Sequence, residues 1–113
     1  MAFDEQLAAR IRQCLAHCEK IEERKMFGCI AFMIAGYAVA GVWKRSLIAR
    51  VGPNGYEEAL LEPHVREFDI TGKPMRGWVA VGSAGIKVEE QLTGWVQRAL
   101  EFAETLHSKR RRR

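Results

Sequence analysis

The chain has 113 residues, 48% apolar and 28% charged, which fits one folded domain and excludes a disordered chain. Its net charge is +4, yet Lys109, Arg110, Arg111, Arg112 and Arg113 are five cations in a row, and without them 13 Lys and Arg stand against 14 Asp and Glu. The body is near neutral, the pI of 9.2 belongs to the C-terminal run, and the balance argues against a broad electrostatic nucleic-acid surface.

Residues 4–23 are expected to form the first helix. Phe3, Leu7, Ile11, Cys14, Leu15 and Cys18 recur at steps of three and four and share one face. Asp4 suits the N-cap, and Glu5 complements the positive helix end. Three strands follow at residues 27–34, 37–42 and 47–51, with turn signals at Ala35-Gly36, Lys44-Arg45 and Gly52-Pro53-Asn54-Gly55. The apolar run over residues 26–43 is near the lower limit for a membrane span. Gly28, Gly36 and Gly41 interrupt it, so it reads as two short strands and no membrane partner is expected.

A short helix is expected over residues 56–61, stopped before Pro63. Residues 66–69 read as extended, 71–77 as a loop and 78–81 as a strand. The last helix covers residues 88–107, with Leu92, Trp95, Val96, Ala99, Leu100 and Ala103 on one face. Gly94 inside it costs about 1 kcal/mol relative to alanine and points to a close contact. The expected fold is α+β in the order α-β-β-β-α-β-β-α, with a five-stranded, mostly antiparallel sheet and both end helices packed on it.

Two stretches set cations beside glycines and an aromatic or Met: Arg24-Lys25-Met26-Phe27-Gly28 and Thr71-Gly72-Lys73-Pro74-Met75-Arg76-Gly77-Trp78. If they meet in space, Arg24, Lys25, Lys73 and Arg76 form a cradle for a phosphate or carboxylate. Otherwise the glycines serve turns and the cations are solvated. Cys14 and Cys18 share a helix face with His17 beside them, but a zinc site wants about four ligands and only Cys29 is left to join. On the apolar stripe they read as small hydrophobes. Trp78 and Trp95 read as core, and Trp43 as a surface turn residue or dimer contact. His64 and His107 read as solvated, and no acid/base pair stands out. Three cysteines and an acidic N-terminus point to a reducing, cytoplasmic setting.

The strongest pattern is collective. Lys25-Met26-Phe27-Gly28 and Ala31-Phe32 lie in the first strand region, Arg50-Val51-Gly52 closes the third strand, and Glu57-Glu58-Ala59-Leu60 lies in the short helix. The loop from Thr71 to Trp78 follows, then Trp95-Val96 and Ala99-Leu100-Glu101-Phe102-Ala103. In this order and spacing the chain resembles the TfoX (Sxy) N-terminal domain family over residues 3–107. The resemblance implies a secretion-chaperone-like fold, often dimeric, and a link to natural competence, where members act as transcriptional coactivators. Full-length members carry a second, C-terminal domain; here one domain is expected over residues 1–108, with a disordered basic tail over 109–113. The family motif brings no catalytic residue, metal or cofactor, and Cys29 stands where the family often has a second glycine. The expected function is a non-enzymatic regulatory module, a homodimer that binds a protein partner. The alternatives are a sensor of small anions at Arg24, Lys25, Lys73 and Arg76, or weak nucleic-acid contact through Lys109 to Arg113.

Overall fold

The computed structural model describes residues 3–26, 28–69 and 72–111, and their side chains apart from Met26 and residues 107–111. The Asp4 carboxylate accepts from the Gln6 N–H at 2.9 Å and the Leu7 N–H at 3.2 Å, which satisfies two of the open donors that begin a helix. α1 (Glu5–Cys14) then buries Leu7, Ala8 and Ile11. It ends nine residues before the expected boundary at residue 23. Lys20 adopts a left-handed φ of 62°, and the chain turns into β1 (Ile21–Met26).

That strand is the correction to the expected fold. Glu, Arg and Lys are good helix formers, so residues 21–25 read locally as helix. Pairing overrides the preference: all six residues of β1 register against β2 (Cys29–Ile34), from Ile21 opposite Ile34 to Met26 opposite Cys29. The sheet therefore has six strands, not five, and is antiparallel throughout. The expected strand start at Phe27 lies outside the described residues. β3 (Tyr37–Trp43) follows a two-residue turn in which Ala35 and Gly36 both have positive φ, 52° and 88°, the twist-compatible hairpin geometry. β4 (Ser46–Arg50), α2 (Pro53–Leu60), β5 (Val65–Glu67) and β6 (Trp78–Val81) come next. Pro53 at the first turn of α2 leaves no donor unpaired there. The strand order is β1-β2-β3-β4-β6-β5.

α3 (Glu89–Arg111) closes the chain. It runs past the expected end at residue 107, so the backbone of Lys109, Arg110 and Arg111 is helical rather than a separate tail. Arg112 and Arg113 lie outside the described residues. Among the described residues no helix is long and apolar enough to cross a membrane.

All three helices bring their buried side chains to one face of the sheet. Ile30, Phe32, Val42, Leu47, Val79 and Val81 meet Leu7 and Ile11 of α1, Tyr56 and Ala59 of α2, and Leu92, Trp95, Val96 and Ala99 of α3. Arg12 of α1 and Glu23 of β1 add a bidentate ion pair, Nε–Oε2 2.6 Å and Nη2–Oε1 2.9 Å, that ties the helix to the edge strand. The hydrogen bonds from Arg12 hold the Glu23 carboxyl below its ordinary range, against a smaller opposing effect of burial. A group depressed in the folded state stabilises above its unfolded pKa and stops doing so as pH falls through its folded one. Arg12→Ala is therefore expected to lower stability at neutral pH by less than about 1 kcal/mol, because the pair is partly exposed. In denaturant titrations across pH, the gap to the unsubstituted chain should close below the ordinary carboxylate range.

Candidate functional site

The glycine-rich loop before β6 is built into the frame. The Gly77 carbonyl accepts from the Val51 N–H at 2.8 Å and the Gly52 N–H at 3.0 Å, which joins the end of β4 to the start of β6. Gly52 has φ +86°, and a Cβ there would lie 2.4 Å from the Phe102 ring of α3. Both facts demand glycine. Beside it, the Arg50 guanidinium lies 5.6 Å from the Trp78 ring centroid and 5.5 Å from that of Phe102, a cation held between two π faces. The Met75 N–H donates to the Phe68 carbonyl and the Trp78 N–H to the Met75 carbonyl, both at 3.0 Å. The loop is thus folded back on its own base.

The four cations singled out from the sequence are not brought together. Arg24 and Lys25 sit on the edge strand β1, while Lys73 and Arg76 lie in the loop between β5 and β6, and four inter-strand steps separate β1 from β6. At about 4.8 Å per step that is roughly 19 Å, more than a Debye length at cellular salt. Arg24 and Lys25 also point to opposite faces, as neighbours on a strand must. Lys25 lies 6.0 Å from the Phe3 ring, and Arg76 lies 5.7 Å from the Tyr56 ring and 3.9 Å from the Glu57 carboxylate. A single anion cradle built from all four is not formed.

The thiols are separate as well. Cys14 Sγ lies 3.9 Å from the Thr93 hydroxyl, and Cys18 Sγ lies 3.7 Å from His17 Nε2. Burial pushes the Cys18 and Cys29 thiols up from their ordinary range, away from the thiolate that nucleophilic chemistry uses. Among the described residues no three His, Cys, Asp or Glu side chains are placed to hold a metal ion.

What the structure presents instead is the second face of the sheet. A smaller cluster there, Ile48, Phe68 and Ala80 flanked by Trp43 and Trp78, covers the β4–β6 half. Phe68 packs edge-on to Trp43, centroids 6.0 Å apart, and at a tilt to Trp78, 6.4 Å apart. Trp43 is thus half-buried under Phe68 and not a free turn residue. Over β1–β3 the same face shows half-buried Cys29, Ala31, Met33 and Ala38, and none of the buried helical side chains reaches it. The pairing register places Arg24, Ala31, Gly41, Ile48, Ala80 and Arg66 in one row across all six strands. The row is small or apolar in the middle and cationic at both edges.

The edges themselves are guarded. β1 carries Glu22-Glu23-Arg24-Lys25, and β5 is three residues long with Arg66 and Glu67. Charge and shortness both discourage strand addition; apolar side chains are left partly in water on the open half-face, and Leu61, Met75 and Val88 are exposed elsewhere. The expected helix over residues 4–23 took in the first half of β1, and the rest read as the connection to the first strand, so this edge of the face was not expected. No period-2 signal marks the strand, because Ile21 and Met26 bracket four charged residues.

Comparison with known proteins gives one match. The family model of the TfoX N-terminal domain matches residues 13–103. No curated protein and no solved structure matches the chain.

Phe68 is 6% exposed and lies between the two tryptophans. Phe68→Ala is expected to cost about 3 kcal/mol in urea unfolding, the ordinary loss for a buried phenylalanine. The tryptophan emission of the folded variant should shift to the red as Trp43 and Trp78 gain water.

Proposed function

The chain belongs to the TfoX N-terminal domain family, and from that premise we propose that it is a non-enzymatic interaction module acting in regulation, with transcriptional control of natural competence as the setting that family kinship suggests. It works in the cytoplasm as a homodimer whose paired sheets form a platform for a protein partner. One observation carries the reading: three helices cover one face of the sheet, while the β1–β3 half of the other keeps apolar side chains partly in water. Burying such a surface against a like surface is favourable by the area removed from water.

The occupant of that half-face is a second copy of the chain. A two-fold contact sets the same patch against itself, so each charge must find its opposite within the patch. Glu22 and Arg24 stand on the open face two residues apart on β1, and in an antiparallel face-to-face arrangement Glu22 of one protomer can meet Arg24 of the other. The flat centre of Ala31, Gly41 and Ala38 lets the two sheets approach closely. The charged edges support the same reading by disfavouring pairing through strand addition.

Sedimentation velocity on the unsubstituted chain checks this. A dimer is expected at micromolar concentration. Met33→Lys, on the open face, should shift the chain to monomer with little change in melting temperature. A strictly monomeric chain at about 100 μM, weaker than the range of specific dimers, together with no protein partner recovered in a pull-down, would overturn the proposal.

A further inference from the structure

Two glycines inside helices have no task in the isolated fold. Gly94 lies in α3, and a Cβ there would meet nothing within 4 Å. Gly55 lies in α2, where the nearest atom to a Cβ would be Val51 Cβ at 4.0 Å. Neither has positive φ. Other glycines are demanded by their surroundings: a Cβ at Gly41 would lie 2.6 Å from the Ile30 carbonyl oxygen, and one at Gly85 would lie 2.8 Å from Val81 Cγ1. Glycine in a helix costs stability relative to alanine. At Gly94, in the interior of α3, no close contact among the described residues offsets that cost, and Gly55 stands in the first turn of α2 with its Cβ position equally open.

The two glycines border two neighbouring hollows. One of about 510 Å³ lies between α2 and α3, bordered by Val51, Gly55, Glu58, Phe102 and Thr105. The other, of about 230 Å³, lies between the turn after α2 and the start of α3, bordered by His64, Glu90, Gly94 and Trp95. Glu62 and Arg98 line both, and their ion pair at 2.7 Å stands where the two hollows meet. Each glycine leaves out a side chain on one wall, where a ligand's main chain can come close. From Glu90 to Thr105 the two hollows follow 16 residues of α3, about 22 Å from first to last at the helical rise, the length of six or seven extended residues at about 3.3 Å each.

Charge selects the occupant. Glu58, Glu62, Glu90 and Glu101 line the two hollows, against Arg98 as the one guanidinium among their lining residues. Phe102 gives the larger hollow its aromatic surface, while the buried Trp95 ring at the smaller one lies under the Arg98 guanidinium, 4.3 Å from its centroid. We propose that the two hollows together bind an extended peptide segment of a partner protein that alternates Lys or Arg with apolar residues. Its main chain passes over Gly55 and Gly94, its cations meet Glu58, Glu90 and Glu101, and one of them competes with Arg98 for Glu62. The surface lies on the helical side of the sheet, so the proposal stands apart from pairing through the open face.

The probe is a fluorescein-labelled peptide of about eight residues alternating lysine and leucine, with a glutamate–leucine peptide as control, followed by fluorescence anisotropy on the full chain. The lysine peptide should bind and the glutamate peptide should not. Gly94→Ala and Gly55→Ala should each weaken binding at least about tenfold, while Gly94→Ala raises the melting temperature by roughly 3–6 °C through helix propensity. The double variant Glu58→Gln, Glu101→Gln should weaken binding by a similar factor. Several results would overturn the proposal. Full binding by both glycine variants leaves only surface charge attraction. A lower melting temperature for Gly94→Ala gives that glycine a structural task. A shift of Gly94→Ala to monomer in sedimentation makes the occupant a second copy.

Discussion

The Gly77 carbonyl, shared by the Val51 and Gly52 N–H groups, is the contact on which most of the chain's arrangement rests. It joins the exit of β4 to the entry of β6, two strands that are adjacent in the sheet but separated by α2 and β5 in sequence. Gly52 has no side chain because the Phe102 ring fills that space, so the same point also seats α3. The Arg50 guanidinium between Trp78 and Phe102 adds a cation–π contact on each side. Residues that look like a functional signature in the sequence, Arg50-Val51-Gly52, Gly77-Trp78 and Phe102, meet here and hold the crossover in place. Positive φ and close approach account for the two glycines, Gly52 and Gly77.

With the crossover set, the layers follow. Three helices occupy one face, and the segment carrying Phe68 folds over part of the other. A two-layer domain of this size leaves one sheet face in water unless something covers it. Here the residues over β1–β3 are small or half-buried, so the exposed apolar area is modest and flat. A charged β1 and a three-residue β5 at the two edges discourage pairing backbone to backbone.

Net charge concealed how the charges are distributed. The near-neutral body has Arg24 and Arg66 at the two ends of one row across the open face, while Glu58, Glu62, Glu90 and Glu101 line the hollows along α3. The open face carries both signs at its β1 edge, Glu22 beside Arg24, whereas the α3 side is mainly acidic. Counting charges does not register how carboxylates gather along one side of α3.

The amino-acid sequence by itself determined the elements whose pattern is local. The α1 stripe and its Asp4 cap, the positive-φ turn at Ala35-Gly36, β6 at residues 78–81 and the apolar face of α3 all follow from side-chain spacing and backbone preference. The family resemblance was also legible, because it rests on residue types in a fixed order. Only the tertiary structure decided that residues 21–26 leave the helix and pair with β2, since a charged segment of good helix formers becomes a strand only when a neighbouring strand supplies its hydrogen bonds. It also decided that Arg24 and Lys25 lie across the sheet from Lys73 and Arg76, and that Gly55 and Gly94, 39 positions apart, border neighbouring hollows. Distances between residues remote in the chain are set by strand order and helix packing, and no local pattern encodes either.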